Sequence, residues 1–131
     1  MSSRAPIVTT GAPAAIGPYS QGIASGNLVF LSGQIPLDPT TQTLAPGSID
    51  DQARQVFRNL AAVAGAAGGG LADVVKLTLF LTDLADFQAV NAVMAEFFSA
   101  PYPARATVGV AALPRGAAIE VDAIMVLDRP E

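Results

Sequence analysis

The 131-residue chain contains no cysteine and no histidine. Without cysteine there is neither a disulfide nor a thiol nucleophile; without histidine there is no imidazole base, and the common zinc and iron sites lose their usual ligands. Any chemistry must be carried by carboxylates, arginine, hydroxyls, amides or backbone dipoles. Oxygen ligands alone are able to hold magnesium, but no cluster of Asp and Glu recommends a metal site. Charge is scarce too, at 14 % of residues against 51 % apolar. That balance predicts that some surface is buried against further copies of the chain, in a homo-oligomer. A net charge of −4, with Lys76 the one lysine among scattered arginines, offers no basic stripe to follow phosphates, which argues against a nucleic-acid partner. No apolar run reaches the roughly 18 residues of a membrane span. The start MSSRAPIVTT lacks a signal peptide's apolar stretch, so a soluble, cytoplasmic protein with no membrane partner is expected. The length suits a single domain, 1–131, with one core.

Turning to what is present, QGIASGNLVFLSGQIPLDP carries two β-prone runs separated by Gly26 and Asn27, a pair suited to a tight hairpin. Ser48 stands three residues before Asp51 in a capping-box pattern. Val56, Leu60, Val63 and Ala67 then recur at helical spacing until Gly68, so a helix is predicted over about 49–67. DVVKLTLFL reads as a largely buried strand, with Val75, Leu77, Leu79 and Leu81 on one face. From Asp86 the period changes, and Phe87, Val90, Met94 and Phe97 form a second helical stripe that stops before Pro101.

The last stretch, ARATVGVAALPRGAAIEVDAIMV, holds Arg105, Glu120 and Asp122 in apolar surroundings. It reads as two strands, about 104–110 and 118–127, closing as an antiparallel hairpin across Leu113, Pro114, Arg115 and Gly116. That register sets Thr107 opposite Glu120 and Arg105 opposite Asp122, with all the charged residues on one side. An ordinary cross-strand salt bridge on a solvated face is the plain interpretation of such a cluster.

Five segments together resemble the Rid family of RidA-type reactive-intermediate deaminases: APAAIGPYSQGI at 12–23, LSGQIPLDP at 31–39, the QARQVFRNL helix, DVVKLTLFLTDLADFQAVNAVMAEFF at 73–98 and PARATVGVAALPRGAAIEVDAI at 103–124. The resemblance spans nearly the whole chain. It implies an α+β, chorismate-mutase-like (RidA-like) fold, a mixed β-sheet with two helices on one face. It also implies a homotrimer with its sites in clefts between subunits, and cofactor-independent hydrolysis of 2-imino acids such as 2-iminopropanoate and 2-iminobutanoate to 2-oxo acids and ammonia. The family needs no cofactor, which suits a chain without histidine or cysteine.

The resemblance implies that Arg105 holds the substrate carboxylate, a task for which a planar guanidinium fork is well shaped. It sets Glu120 at the position that orients or deprotonates the attacking water and returns a proton to ammonia. Thr107 departs from the commoner cysteine at a position whose contribution is largely backbone, so its hydroxyl bears on substrate preference. Tyr19 of the GPY motif covers the site, or is a packed aromatic beside a turn. Gly33 lets backbone approach the ligand, or serves a strand end. Asn91 borders the cleft. Phe87 is expected in the core nearby, Lys76 as a strand lysine with an apolar stem rather than a Schiff-base nucleophile, and Asp122 as a salt-bridge partner. Two functions fit: an imine-hydrolysing enzyme, and a non-catalytic trimeric module that binds small 2-oxo acids. A ribonuclease-like or translation-inhibiting activity is disfavoured by the acidic balance and missing histidine.

Overall fold

The computed structural model describes residues 4–128. Six strands form one sheet: β1 (Ala5–Ile7), β2 (Gly22–Ser25), β3 (Leu28–Gln34), β4 (Val74–Leu81), β5 (Ala104–Gly109) and β6 (Ile119–Val126). Helix α1 (Ile49–Ala66) connects β3 to β4, and α2 (Phe87–Phe97) connects β4 to β5. The strand order is β1-β2-β3-β6-β4-β5. Only β4 and β5 run parallel, because parallel neighbours need a crossover and α2 provides one. This is the expected mixed α+β architecture with two helices on one face.

Local chemistry accounts for the boundaries. Gly26 takes a φ of 61° in the two-residue turn that pairs Ser25 with Leu28. The Ser48 N–H donates to the Asp51 carboxylate at 3.3 Å, and Asp50 and Asp51 sit at the positive end of the α1 dipole. Gly68, with φ 101°, ends the helix. There the Gly68 N–H donates to the Gly65 carbonyl and the Gly69 N–H to that of Ala64, a Schellman ending.

The core lies between the helices and one sheet face. Val56, Phe57, Leu60 and Val63 of α1 are fully buried, as are Leu77, Leu81 and Val121 of the sheet. Phe57 meets Phe97 and Phe98 with ring centroids 5.5 and 5.8 Å apart, joining α1 to the end of α2. Above these rings Arg54 donates to both oxygens of Glu96, at 3.0 and 2.9 Å. Among the described residues the other sheet face carries no helix. There Phe30 is 44 %, Val75 47 % and Val108 42 % exposed, too much apolar surface for a face meant to stay in water. No helix among the described residues is long and apolar enough to cross a membrane.

Four expectations are corrected. The hairpin between 104–110 and 118–127 does not form: β6 lies between β3 and β4, and β5 pairs with the far side of β4. The end of β4 is held between the two, with Val110 N–H on the Leu81 carbonyl at 2.9 Å and Thr82 N–H on the Ala118 carbonyl at 3.2 Å. A central place pairs the backbone on both edges of β6, every second residue of which is buried. The exposed residues of β5 suit only an edge. The row partners change accordingly: Arg105 aligns with Leu77 and Ala123, Thr107 with Leu79 and Val121, and Glu120 with Phe80 and Val108. Arg105 and Thr107 therefore point to the helical face, and Glu120 and Asp122 to the open one. Secondly, a register shift between Val74 and Lys76 buries Val74 and exposes Val75. Thirdly, Phe87 is half-buried at the start of α2 rather than a core residue, with the Arg105 guanidinium over its ring. Fourthly, Asp122 takes hydrogen bonds from Thr78, and the ion pairs among the described residues are those of Arg54. Strand β1, which the sequence reading did not anticipate, adds an edge to β2.

Candidate active site

Arg105 sits on the edge strand β5 and reaches over α2. Phe87, Asn91 and Met94 are three or four residues apart on that helix and so share a face. The guanidinium donates to Asn91 Oδ1 at 2.5 Å, touches Met94 Sδ at 3.5 Å and lies 5.2 Å from the Phe87 ring centre. One side chain fixes the direction of the fork and another supports its plane, while no carboxylate among the described residues neutralises it. A cavity of about 430 Å³ opens beside it, lined by Asn91, Met94, Tyr102, Pro103 and Arg105. Thr107 lies two residues along β5 on the same face, and its buried Oγ1 has no hydrogen-bond partner.

Glu120 belongs to the other face. It is half-buried among apolar neighbours, and this burial, with a smaller effect of Asp122, pushes its carboxyl above the usual range. Burial raises Asp122 as well, opposed by the Thr78 hydrogen bonds and by Lys76. The Glu120 carboxylate lies directly against Gly33, where a Cβ would collide with it. Gly33 falls where the pairing of β3 with β6 shifts register between Leu31 and Gln34. The space that any side chain would fill is thus occupied by the carboxylate.

Tyr19 is 53 % exposed on the loop before β2, and its hydroxyl accepts the Ile16 N–H at 3.4 Å. With Gly33, Ile35, Pro114 and Arg115 it lines a cavity of about 280 Å³. Two buried amides that sequence reasoning passed over hold these loops. Gln21 Nε2 donates to the carbonyls of Thr9 at 3.0 Å and Pro13 at 2.8 Å, while its Oε1 accepts the Thr9 N–H at 2.8 Å. Asn59 of α1, fully buried, donates to the Leu37 carbonyl at 2.9 Å and so ties down the loop after β3. A polar residue in an apolar helical stripe was the available signal for Asn59; Gln21 carries none outside its motif.

The expected residues thus fall into two groups within one chain. Arg105, Asn91 and Thr107 gather where β5 meets α2, and Glu120, Gly33 and Tyr19 gather across the sheet at the open face and the neighbouring loop. The first group offers a preset fork for a planar anion. The second offers a carboxyl whose burial raises its affinity for a proton.

Comparison with known proteins gives a consistent result. Residues 9–127 match the family model described as endoribonuclease L-PSP. A 2-iminobutanoate/2-iminopropanoate deaminase of Dermatophagoides farinae is 48 % identical, over 98 % of this chain and 100 % of that protein. The crystal structure of RidA from the Antarctic bacterium Psychrobacter is 50 % identical with a TM-score of 0.89, covering 92 % of this chain and 98 % of that one. That of E. coli TdcF with bound serine is 45 % identical with a TM-score of 0.91, covering 95 % and 99 %.

Proposed function

The chain belongs to the Rid family, and from that premise we propose that it hydrolyses reactive 2-imino acids, such as 2-iminopropanoate and 2-iminobutanoate, to 2-oxo acids and ammonia. The observation that carries the reading is Arg105: a guanidinium held by Asn91 and Phe87, with no acid spent on it, beside a cavity. Its fork binds the carboxylate next to the C=N carbon. The Glu120 carboxylate, which burial makes more basic than a solvated glutamate, takes a proton from water as the oxygen bonds to that carbon. Glu120 returns that proton to nitrogen to give the neutral carbinolamine, which releases ammonia as the hydroxyl proton passes to nitrogen and the C=O of the 2-oxo acid forms. Thr107, Gly33, Asn91 and Tyr19 complete the binding walls, and no cofactor is required.

Because Arg105 and Glu120 face opposite sides of one sheet, the two groups meet in the proposed cleft only when they come from different chains. The apolar open face and the edge strand β5, paired on one side alone, supply surfaces for a homotrimer with inter-subunit sites. A serine-bound relative favours a second reading, a trimeric module that binds small acids without turnover. The test generates 2-iminobutanoate with a threonine dehydratase and traps the unhydrolysed imine with semicarbazide. Wild type should lower the trapped fraction and Glu120→Gln should lose about 100-fold or more, the range of general acid/base groups. No acceleration over buffer by wild type would leave the binding module.

A further inference from the structure

Among the described residues, two non-glycine residues take left-handed backbone angles: Gln42 with φ 59° and Arg115 with φ 61°. They are far apart in sequence yet touch, through a hydrogen bond of 3.2 Å from an Arg115 terminal nitrogen to the Gln42 carbonyl. Such angles disfavour a side chain, and observed strain of this kind concentrates at ligand clamps and active sites. The turn from Leu113 to Gly116 would be unstrained with glycine or asparagine at 115, so it gains nothing locally from an arginine. Gln42 adds a further irregularity. Its Nε2 donates to the Pro39 carbonyl at 3.1 Å, while its Oε1 is buried without a partner.

Arg115 lines the cavity of Tyr19 and Gly33, while Gln42 lines a second cavity that Tyr19 also borders. Arg115 is exposed and faces no carboxylate within ion-pair distance among the described residues. One of its N–H groups is spent on Gln42, and the other donors of the fork are free to bind an anion. The same cavity reaches Gly33, against which the Glu120 carboxylate rests. Monocarboxylic imines use one cation, and Arg105 supplies it.

We propose that Arg115 is a second anion-binding residue of the cleft, admitting 2-imino dicarboxylates, the imines of acidic amino acids, with the distal carboxylate on Arg115. This rests on the imine-hydrolase reading with its two-chain cleft. The hydrolysis is unchanged: water adds at C=N and ammonia leaves, giving a 2-oxo dicarboxylate. Reactions that oxidise acidic amino acids at Cα supply such imines.

The test is calorimetric binding of 2-oxobutanoate and 2-oxoglutarate to wild type, Arg115→Asn and Arg115→Lys; asparagine tolerates the left-handed angle, so charge is removed without adding strain. Arg115→Asn is expected to weaken 2-oxoglutarate about tenfold or more, the scale of a lost charged hydrogen bond, and to leave 2-oxobutanoate within about twofold. Arg115→Lys should fall between. If wild type binds 2-oxobutanoate but not 2-oxoglutarate, or if Arg115→Asn changes both ligands alike or neither, the proposal is overturned while the hydrolase reading stands. A lowered melting temperature without a change in selectivity likewise overturns it, making Arg115 a latch between two loops. If wild type binds neither acid, the Arg105 site fails and this inference with it.

Discussion

The two faces of the sheet are built from the same strands and have opposite characters. On the helical face Leu77, Leu81, Val121 and Met125 are fully buried by α1 and α2, and the chain completes that core by itself. On the open face Phe30, Val108 and Leu28 remain between 39 % and 44 % exposed, and the carboxyls of Glu120 and Asp122 sit half-buried among them. One face answers to the folding of a single chain; the other is the surface to which the proposed assembly is assigned. The proposed chemistry is divided in the same way, with Arg105 anchored on the helical side and Glu120 on the open side.

The largest expected effect comes from breaking the open face. Phe30→Asp should leave far-UV circular dichroism unchanged, shift sedimentation to monomer and abolish imine hydrolysis, although within the chain Phe30 aligns with Ile124 rather than with Glu120. A trimer that survives this change would assign the open face another role. Next is the helical face, where Leu79 is 1 % exposed. In the monomeric Phe30→Asp background, Leu79→Ala should lower unfolding stability by about 2 to 5 kcal/mol in urea titration, the usual cost of truncating a buried leucine. Val108→Ala on the open face should cost about 0.5 kcal/mol or less in the same background.

Arg105→Lys keeps charge and loses the fork. Weakening of 2-oxobutanoate by about 1.5 to 3 kcal/mol in calorimetry is expected, and unchanged affinity would remove Arg105 from the site. The smallest effect is the pH dependence of Asp122. Burial raises its folded pKa above the ordinary 3.8, so the folded chain binds the proton more tightly than the unfolded one. Its unfavourable contribution is absent below the ordinary value and grows as pH rises through the folded value. Asp122→Asn should therefore raise the melting temperature at neutral pH and leave it unchanged at about pH 3. A gain of equal size at both would trace the effect to packing.

Much of the helical side was legible in the sequence, because local signals govern it. The stripe of Val56, Leu60 and Val63, the Ser48 and Asp51 cap and the stop at Gly68 each depend on neighbours within a few residues. The Gly26 turn is local too. The place of β6 is not. Its pairing with both β3 and β4 is a long-range choice, and the short link over Leu113–Gly116 suggested a hairpin where β4 instead lies between the strands. That one topological error moved Arg105 from the face of Asp122 to the face of Ala123. Candidate site residues were nameable from motif resemblance, whereas their division between two faces required the sheet order. The 51 % apolar content is matched by the exposed apolar residues of the open face, whose place the composition does not give.

The central claim, that each cleft draws Arg105 from one chain and Glu120 from another, is tested most directly by mixing two inactive variants. Arg105→Ala and Glu120→Gln, each assayed alone and then co-refolded in equal amounts, are compared by imine hydrolysis. In a randomly mixed symmetric trimer about one cleft in four pairs an intact Arg105 with an intact Glu120, so activity should return to about a quarter of wild type. No recovery above the separate variants, in mixtures proven by mass spectrometry to contain both chains, would contradict the account and require both residues to act within one chain.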